Sequence, residues 1–218
     1  MKIALIGAIT AALVVGAVPG SSQNVYDVPS LFVSRVDPRL CPSPACGGYW
    51  VSEANHARTT CVDLRSSPRC YVARGVDRAH ADLGGGIPDG AVVLGHLEPW
   101  GYDGFSEALG AIIVDDVRTP VGSFEKGTYF RVRDLGIRCV RAPCLSYRAT
   151  VLNGVRRVLI STLDLSAVRA SPEELRQAQA ALTTPGGLFV LGRIVATPDG
   201  GRALRSTRIF LKAPKPRA

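Results

Sequence analysis

Six cysteines offer this chain's most distinctive chemistry, and their spacing limits what that chemistry is. Cys41 and Cys46 enclose Pro-Ser-Pro-Ala in CPSPACGGYW (41–50), and Cys139 and Cys144 enclose Val-Arg-Ala-Pro in CVRAPC (139–144). Cys61 and Cys70 end the segment CVDLRSSPRC (61–70). Structural zinc needs clustered thiolates, usually Cys-x2–4-Cys pairs combined into four ligands, and the two Cys-x4-Cys segments lie far apart in sequence. A redox dithiol usually has Cys-x-x-Cys spacing ahead of a helix N-terminus, which stabilises the thiolate; neither segment precedes a helical pattern. No metal and no cofactor is expected. A presented loop is a further reading. A closed CVRAPC ring offers Arg141-Ala142 as a serine-protease inhibitor offers an arginine to a trypsin-like site, although the sister ring CPSPAC has no such residue.

Other reactive residue types form no catalytic set. His56, His80 and His96 stand outside any Gly-x-Ser-x-Gly, His-Glu-x-x-His or phosphate-cradling pattern. His80-Ala81-Asp82 reads as a solvated loop pair, and Asp115-Asp116 reads as a polar turn rather than an acid–base pair. No catalytic residue is therefore expected, and a non-enzymatic protein is. One aromatic group stands out: EPWGYDGFSEALG (98–110) places Trp100, Tyr102 and Phe105 on a glycine-punctuated loop. It is a candidate binding surface; its alternative is a lid folded onto its own core.

The N-terminus indicates export. Met1-Lys2, an apolar run over 3–18 and the break Pro19-Gly20-Ser21-Ser22 have the layout of a secretory signal peptide, assigned to 1–22. The run is shorter than the roughly 20 residues of a spanning helix, and no later segment has that character, so no membrane span is expected after cleavage. The formal net charge is +8, with arginine supplying nearly all the positive charge. The arginines are scattered among acids and apolar residues, with no basic helix or nucleic-acid motif. The expected partner is an unidentified envelope or extracellular one, not nucleic acid.

Self-comparison shows an internal repeat. In 32–55 and 129–153, Asp37 and Asp134 precede the Cys-x4-Cys pairs, Tyr49 and Tyr147 stand three residues after them, and Asn55 and Asn153 nine after. AVVLGHLEP (91–99) resembles LFVLGRIVA (188–196), and AIIVDDV (111–117) is then set against RIFLKAP (208–214). CPSPACGGYWV and GIRCVRAPCLSYRATVLN also resemble the signatures of a group of secreted bacterial proteins, the domain of unknown function DUF6748. That resemblance covers roughly 30–160; it implies an exported or envelope location and implies no activity.

An oxidising compartment favours disulfides. The 61–70 segment is an insertion that the second repeat lacks, so its cysteines are paired with each other. The remaining pairs are one per repeat: 41–46 and 139–144. Strands are expected at 49–53, 70–76, 91–97 and 111–114, then at 129–133, 146–152, 157–162, 188–196 and 207–212. One helix is expected near 171–182, with Ser171 as N-cap and Pro172 in its first turn. The expected fold is mainly β, with α+β as a variant: two similar β-rich lobes forming a sandwich or partly open barrel. The repeats span 28–120 and 126–214, joined near 118–127, with a disordered tail at 215–218.

Overall fold

The computed structural model describes residues 30–83, 86–105 and 109–212, so the expected signal peptide and the tail at 215–218 lie outside the described residues. In the first half, β1 (Ser30–Val36) and β2 (Tyr49–Glu53) form a hairpin, and β3 (Thr59–Thr60) pairs with β4 (Ser66–Ser67) in the 61–70 insertion. Then come β5 (Cys70–Val72), β6 (Arg74–Asp77), β7 (Val92–Glu98) and β8 (Ala111–Gly122). The second half comprises β9 (Thr128–Asp134), β10 (Tyr147–Val151), β11 (Arg157–Ile160), β12 (Thr162–Asp164), α1 (Pro172–Leu182), β13 (Leu188–Ala196) and β14 (Arg202–Lys212). The chain is mainly β, and its principal sheet curls into a half-barrel.

That sheet has 12 strands in the order β11-β10-β9-β13-β14-β8-β7-β1-β2-β5, with β6 on β8 and β12 on β14. The halves do not stand apart: β14 pairs with β8 antiparallel from Lys212↔Arg118 to Arg208↔Gly122. The expected junction at 118–127 is therefore half strand. Pro120 reads as a breaker, because proline cannot donate to a ladder. Here β7 pairing stops at Arg118, so Pro120 lies where β8 is an edge on that side.

Each half has the same internal order, β2-β1-β7-β8 and β10-β9-β13-β14. Each also splits one expected strand. The run 70–76 divides at Ala73 into β5, which pairs β2, and β6, which pairs β8 in parallel. The run 157–162 divides at Ser161 into β11, on β10, and β12, parallel to β14. Ala73 N–H donates to Gly110 and Ser161 N–H to Arg202, fixing the two corners alike. Strand β1 was not expected as a strand, and β14 starts earlier than expected. By register, Ala111–Val117 matches 203–209 and not 208–214: the β7–β8 connection is longer than the β13–β14 turn, which displaces a match made at equal separation.

Central strands β7 and β13 read as unbroken apolar runs because both their faces are covered. Val93 faces a cluster with Val51, Val72 and Ile112, while Val92 and Leu94 face one with Phe189, Leu191 and Phe210 that both halves share. Leu188 and Val190 face the cluster that takes Ala178 and Leu182 of α1. The helix begins as expected: Glu174 N–H donates to Ser171 Oγ at 3.3 Å, and Ser171 N–H donates to Glu174 Oε2 at 2.7 Å.

Gly95 and Gly192, each ending a Val-Leu-Gly, sit at bulges where the register shifts. A Cβ at Gly95 would stand 1.9 Å from Ile113 O, and one at Gly192 2.3 Å from Arg205 O. Gly95→Ala and Gly192→Ala should each cost about 1–3 kcal/mol in urea unfolding, with the melting point lowered by several degrees. Gly101→Ala, with open space around it, serves as the control; a Gly95→Ala chain as stable as that control would refute the close-approach argument.

Candidate functional site

The six cysteines lie in three pairs at disulfide distance, 41–46, 61–70 and 139–144, with Cα separations of 5.6, 5.4 and 5.5 Å. This is the expected pairing. The first ring connects β1 to β2. At its base the buried Asp37 donates its N–H to Gly48 O at 2.8 Å and holds Arg39 through Nε and Nη2 at 2.9 and 2.7 Å. Arg39 Nη2 also donates to Ala45 O inside the ring at 3.0 Å. From β5, Tyr71 hydroxyl donates to Pro44 O and accepts from Gly48 N–H, both at 3.2 Å. A Cβ at Gly48 would stand 2.1 Å from Val72 O, and Gly47 has a φ of +78°, so both glycines are dictated by the packing of the ring on β5.

The second ring connects β9 to β10 under similar control. Arg138 donates through Nη1 and Nη2 to Asp134 at 3.1 and 2.9 Å, and Gly136 N–H donates to Asp134 Oδ1 at 2.7 Å. Its setting differs, however. Cys46 of the first ring is 2% exposed, whereas Val140 of the second is 103% exposed and Arg141 and Ala142 project into solvent beside it.

The aromatic loop does not present its three rings together. Trp100 packs against Val76, Ala111 and Ile113, with His80 edge-on at 5.3 Å and the Arg74 guanidinium at 5.5 Å. Tyr102 is half-buried, and that burial pushes its hydroxyl pKa up. Phe105 is exposed. Asp82 pairs with Arg74 at 2.5 Å, away from His80. Asp115 and Asp116 lie within β8, at its register shift, rather than in the expected polar turn, and they take different partners, Arg78 for the first and Arg118 at 2.7 Å for the second. Among the described residues no group of three or more His, Cys, Asp or Glu could hold a metal ion.

Beside the first ring, two open clefts are lined in part by Trp50. Register places Arg35 opposite Trp50 across β1–β2, and Trp50 opposite Tyr71 across β2–β5. Directly opposed residues share a face, so the three form a row at the sheet's edge. Trp50 meets Tyr71 edge-on at 5.3 Å, and the Arg39 guanidinium lies 5.9 Å from the Tyr71 ring. Two clefts flank the indole. One, of about 400 Å³, is lined by Arg35, Trp50, Ser67, Pro68 and Arg69. The other, of about 320 Å³, is lined by Arg35, Asp37, Pro38, Arg39 and Trp50. Sequence reading placed Trp50 in the expected strand 49–53 and treated the arginines as scattered charge. Strand alternation at GYWVS is the signal that separates Trp50 from buried Val51.

Arg39 holds the Asp37 carboxyl below the usual aspartate range by hydrogen bonding, and Arg138 does the same for Asp134. A carboxyl whose pKa is lower folded than unfolded contributes stability above the unfolded value, about 3.9, and loses it as pH falls through the folded value. Stability should therefore decline below about pH 4, and more shallowly in an Asp37→Asn/Asp134→Asn variant. Equal acid slopes in urea titrations of the two proteins would contradict the assignment.

Neither the curated proteins nor the solved structures contain a match to this chain. A family model described as "Domain of unknown function (DUF6748)" matches residues 30–213, extending the sequence resemblance through α1 to the end of β14. Both disulfide rings, the Trp50 clefts and the whole 12-stranded sheet fall within that match, and the chain belongs to the DUF6748 family.

Proposed function

We propose that this chain is an exported, non-enzymatic binding module of the cell envelope, built by duplication of one disulfide-ringed β unit. The observation that carries the binding role is the pair of clefts flanking Trp50, set against a ring that a disulfide, Arg39 and Tyr71 hold in place. A surface ordered before it meets a partner loses less entropy on binding. Matching strand orders and matching corners at Ala73 and Ser161 support duplication. Three disulfides support export. No helix among the described residues is long and apolar enough to cross a membrane.

The test is co-sedimentation of the disulfide-bonded protein with envelope fragments of the organism that makes it. Saturable binding is expected, weakened at least tenfold by Trp50→Ala and unchanged by Phe105→Ala, with near-UV circular dichroism confirming the fold of each variant. Absence of saturable binding, or binding indifferent to Trp50, overturns the reading.

A second reading, protease inhibition, is favoured by one observation: Arg141 stands exposed in the Cys139–Cys144 ring beside the fully exposed Val140. Titration of trypsin with the purified protein decides it. Inhibition at micromolar concentration that Arg141→Ala abolishes would establish this reading; its absence at that concentration excludes it.

A further inference from the structure

We infer that the Trp50 clefts bind a carboxylated polysaccharide, with the indole stacked on a sugar ring and guanidinium groups engaging the flanking carboxylates. The inference rests on the binding role proposed above and assigns its ligand chemistry. Three features of the site lead to it.

The first is charge. Arg39 is committed to Asp37, which it grips with both Nε and Nη2, so this pair adds almost no net charge to the surface. Arg35 and Arg69 are exposed, and among the described residues neither belongs to an ion pair. Two guanidinium groups outside any ion pair thus stand on the cleft walls, Arg35 within electrostatic reach of Asp37, and their planar forks match carboxylates in two-point hydrogen bonds.

The second is shape. The two clefts share Arg35 and Trp50 in their linings and so lie next to each other. A single small anion would fill one of them. A chain of linked units fills both, crossing Trp50 between them.

The third is the wall material. Pro38 lines one cleft and Pro68 the other, so each unit meets apolar C–H surface as well as guanidinium. Pyranose rings have that division: their axial C–H faces lie on aromatic and aliphatic surface, while their substituents point outward to polar groups. A nucleic acid of the same charge would call for a basic groove tracking successive phosphates and for several stacked aromatics, and this site has one half-buried indole with two arginines outside any ion pair.

The chain has two tryptophans, and the other, Trp100, is packed on a separate cluster with Val76. Trp100→Phe therefore leaves Trp50 as a single fluorescent reporter. Polygalacturonate added to this disulfide-bonded variant should change Trp50 emission saturably, with affinity falling as salt rises. Neutral dextran should have no effect. Arg35→Gln/Arg69→Gln should weaken polygalacturonate binding at least tenfold; both side chains are exposed, so the fold is retained, which circular dichroism verifies. No response to polygalacturonate overturns the inference, as does equal response to dextran or equal affinity for oligothymidylate at the same salt. Failure here with Trp50-dependent envelope binding intact would refute the ligand chemistry alone; loss of both would refute the binding role itself.

Discussion

Antiparallel pairing of β8 with β14 is the constraint on which the rest of the molecule depends. It joins two halves of equal strand order into one sheet, and it involves only the last residues of each strand, Arg118–Gly122 against Arg208–Lys212. Short seams of this kind need support from beyond the ladder. The shared cluster of Ala54, Val92, Leu94, Tyr129, Leu152, Phe189, Leu191 and Phe210 supplies apolar contact across it. At its rim the turns after β2 and β10 exchange hydrogen bonds. Asn55 donates through Nδ2 to Tyr129 O and Leu152 O and accepts from Tyr129 N–H, while Asn153 donates to Ala54 O. Both asparagines have positive φ, 65° and 53°, a region that asparagine enters more readily than most residues. The matched asparagines are thus the fastening between halves.

The disulfides act at a different scale. Each closes a short loop, an effect of roughly 2–3 kcal/mol by chain-entropy arguments, and none links one half to the other. Their work is local: two hold ring backbones in place at the ends of the β1–β2 and β9–β10 hairpins remote from the asparagine turns, and the third closes the 61–70 insertion ahead of β5. An Asp–Arg grip repeats at each ring, with Asp37–Arg39 and Asp134–Arg138. The rings then diverge in use. Tyr71 and Gly48 pack the first against β5, whereas the second reaches into solvent with Val140 and Arg141. Equal spacing in sequence gives equal closure, but the neighbouring strand decides what each ring presents.

Legibility in the sequence followed the range of the physics involved. The N-cap of α1, the three local disulfides and most strand cores rest on residues close in sequence, and all were readable there. The division of 70–76 and 157–162 into two strands each was not, because Ala73 and Ser161 turn corners defined by carbonyls of Gly110 and Arg202, distant in the chain. Pro120 misled for the same reason: whether a proline is tolerated depends on which side of its strand carries a partner. The aromatic loop was visible as a composition, but whether Trp100 faces solvent or the cluster of Val76 depends on β6 lying beside β8.

By itself the sequence determined the mainly β class, the helix at 172–182 and the pairing of the cysteines. Each of these follows from local backbone preference, apolar alternation or small-loop closure. Tertiary structure alone decided that the halves share a single sheet and that Arg35, Trp50 and Tyr71 stand in one row. The reason is register. A strand's own residues fix which of its side chains alternate, but only its pairing with strands far away in sequence fixes which side chains become neighbours.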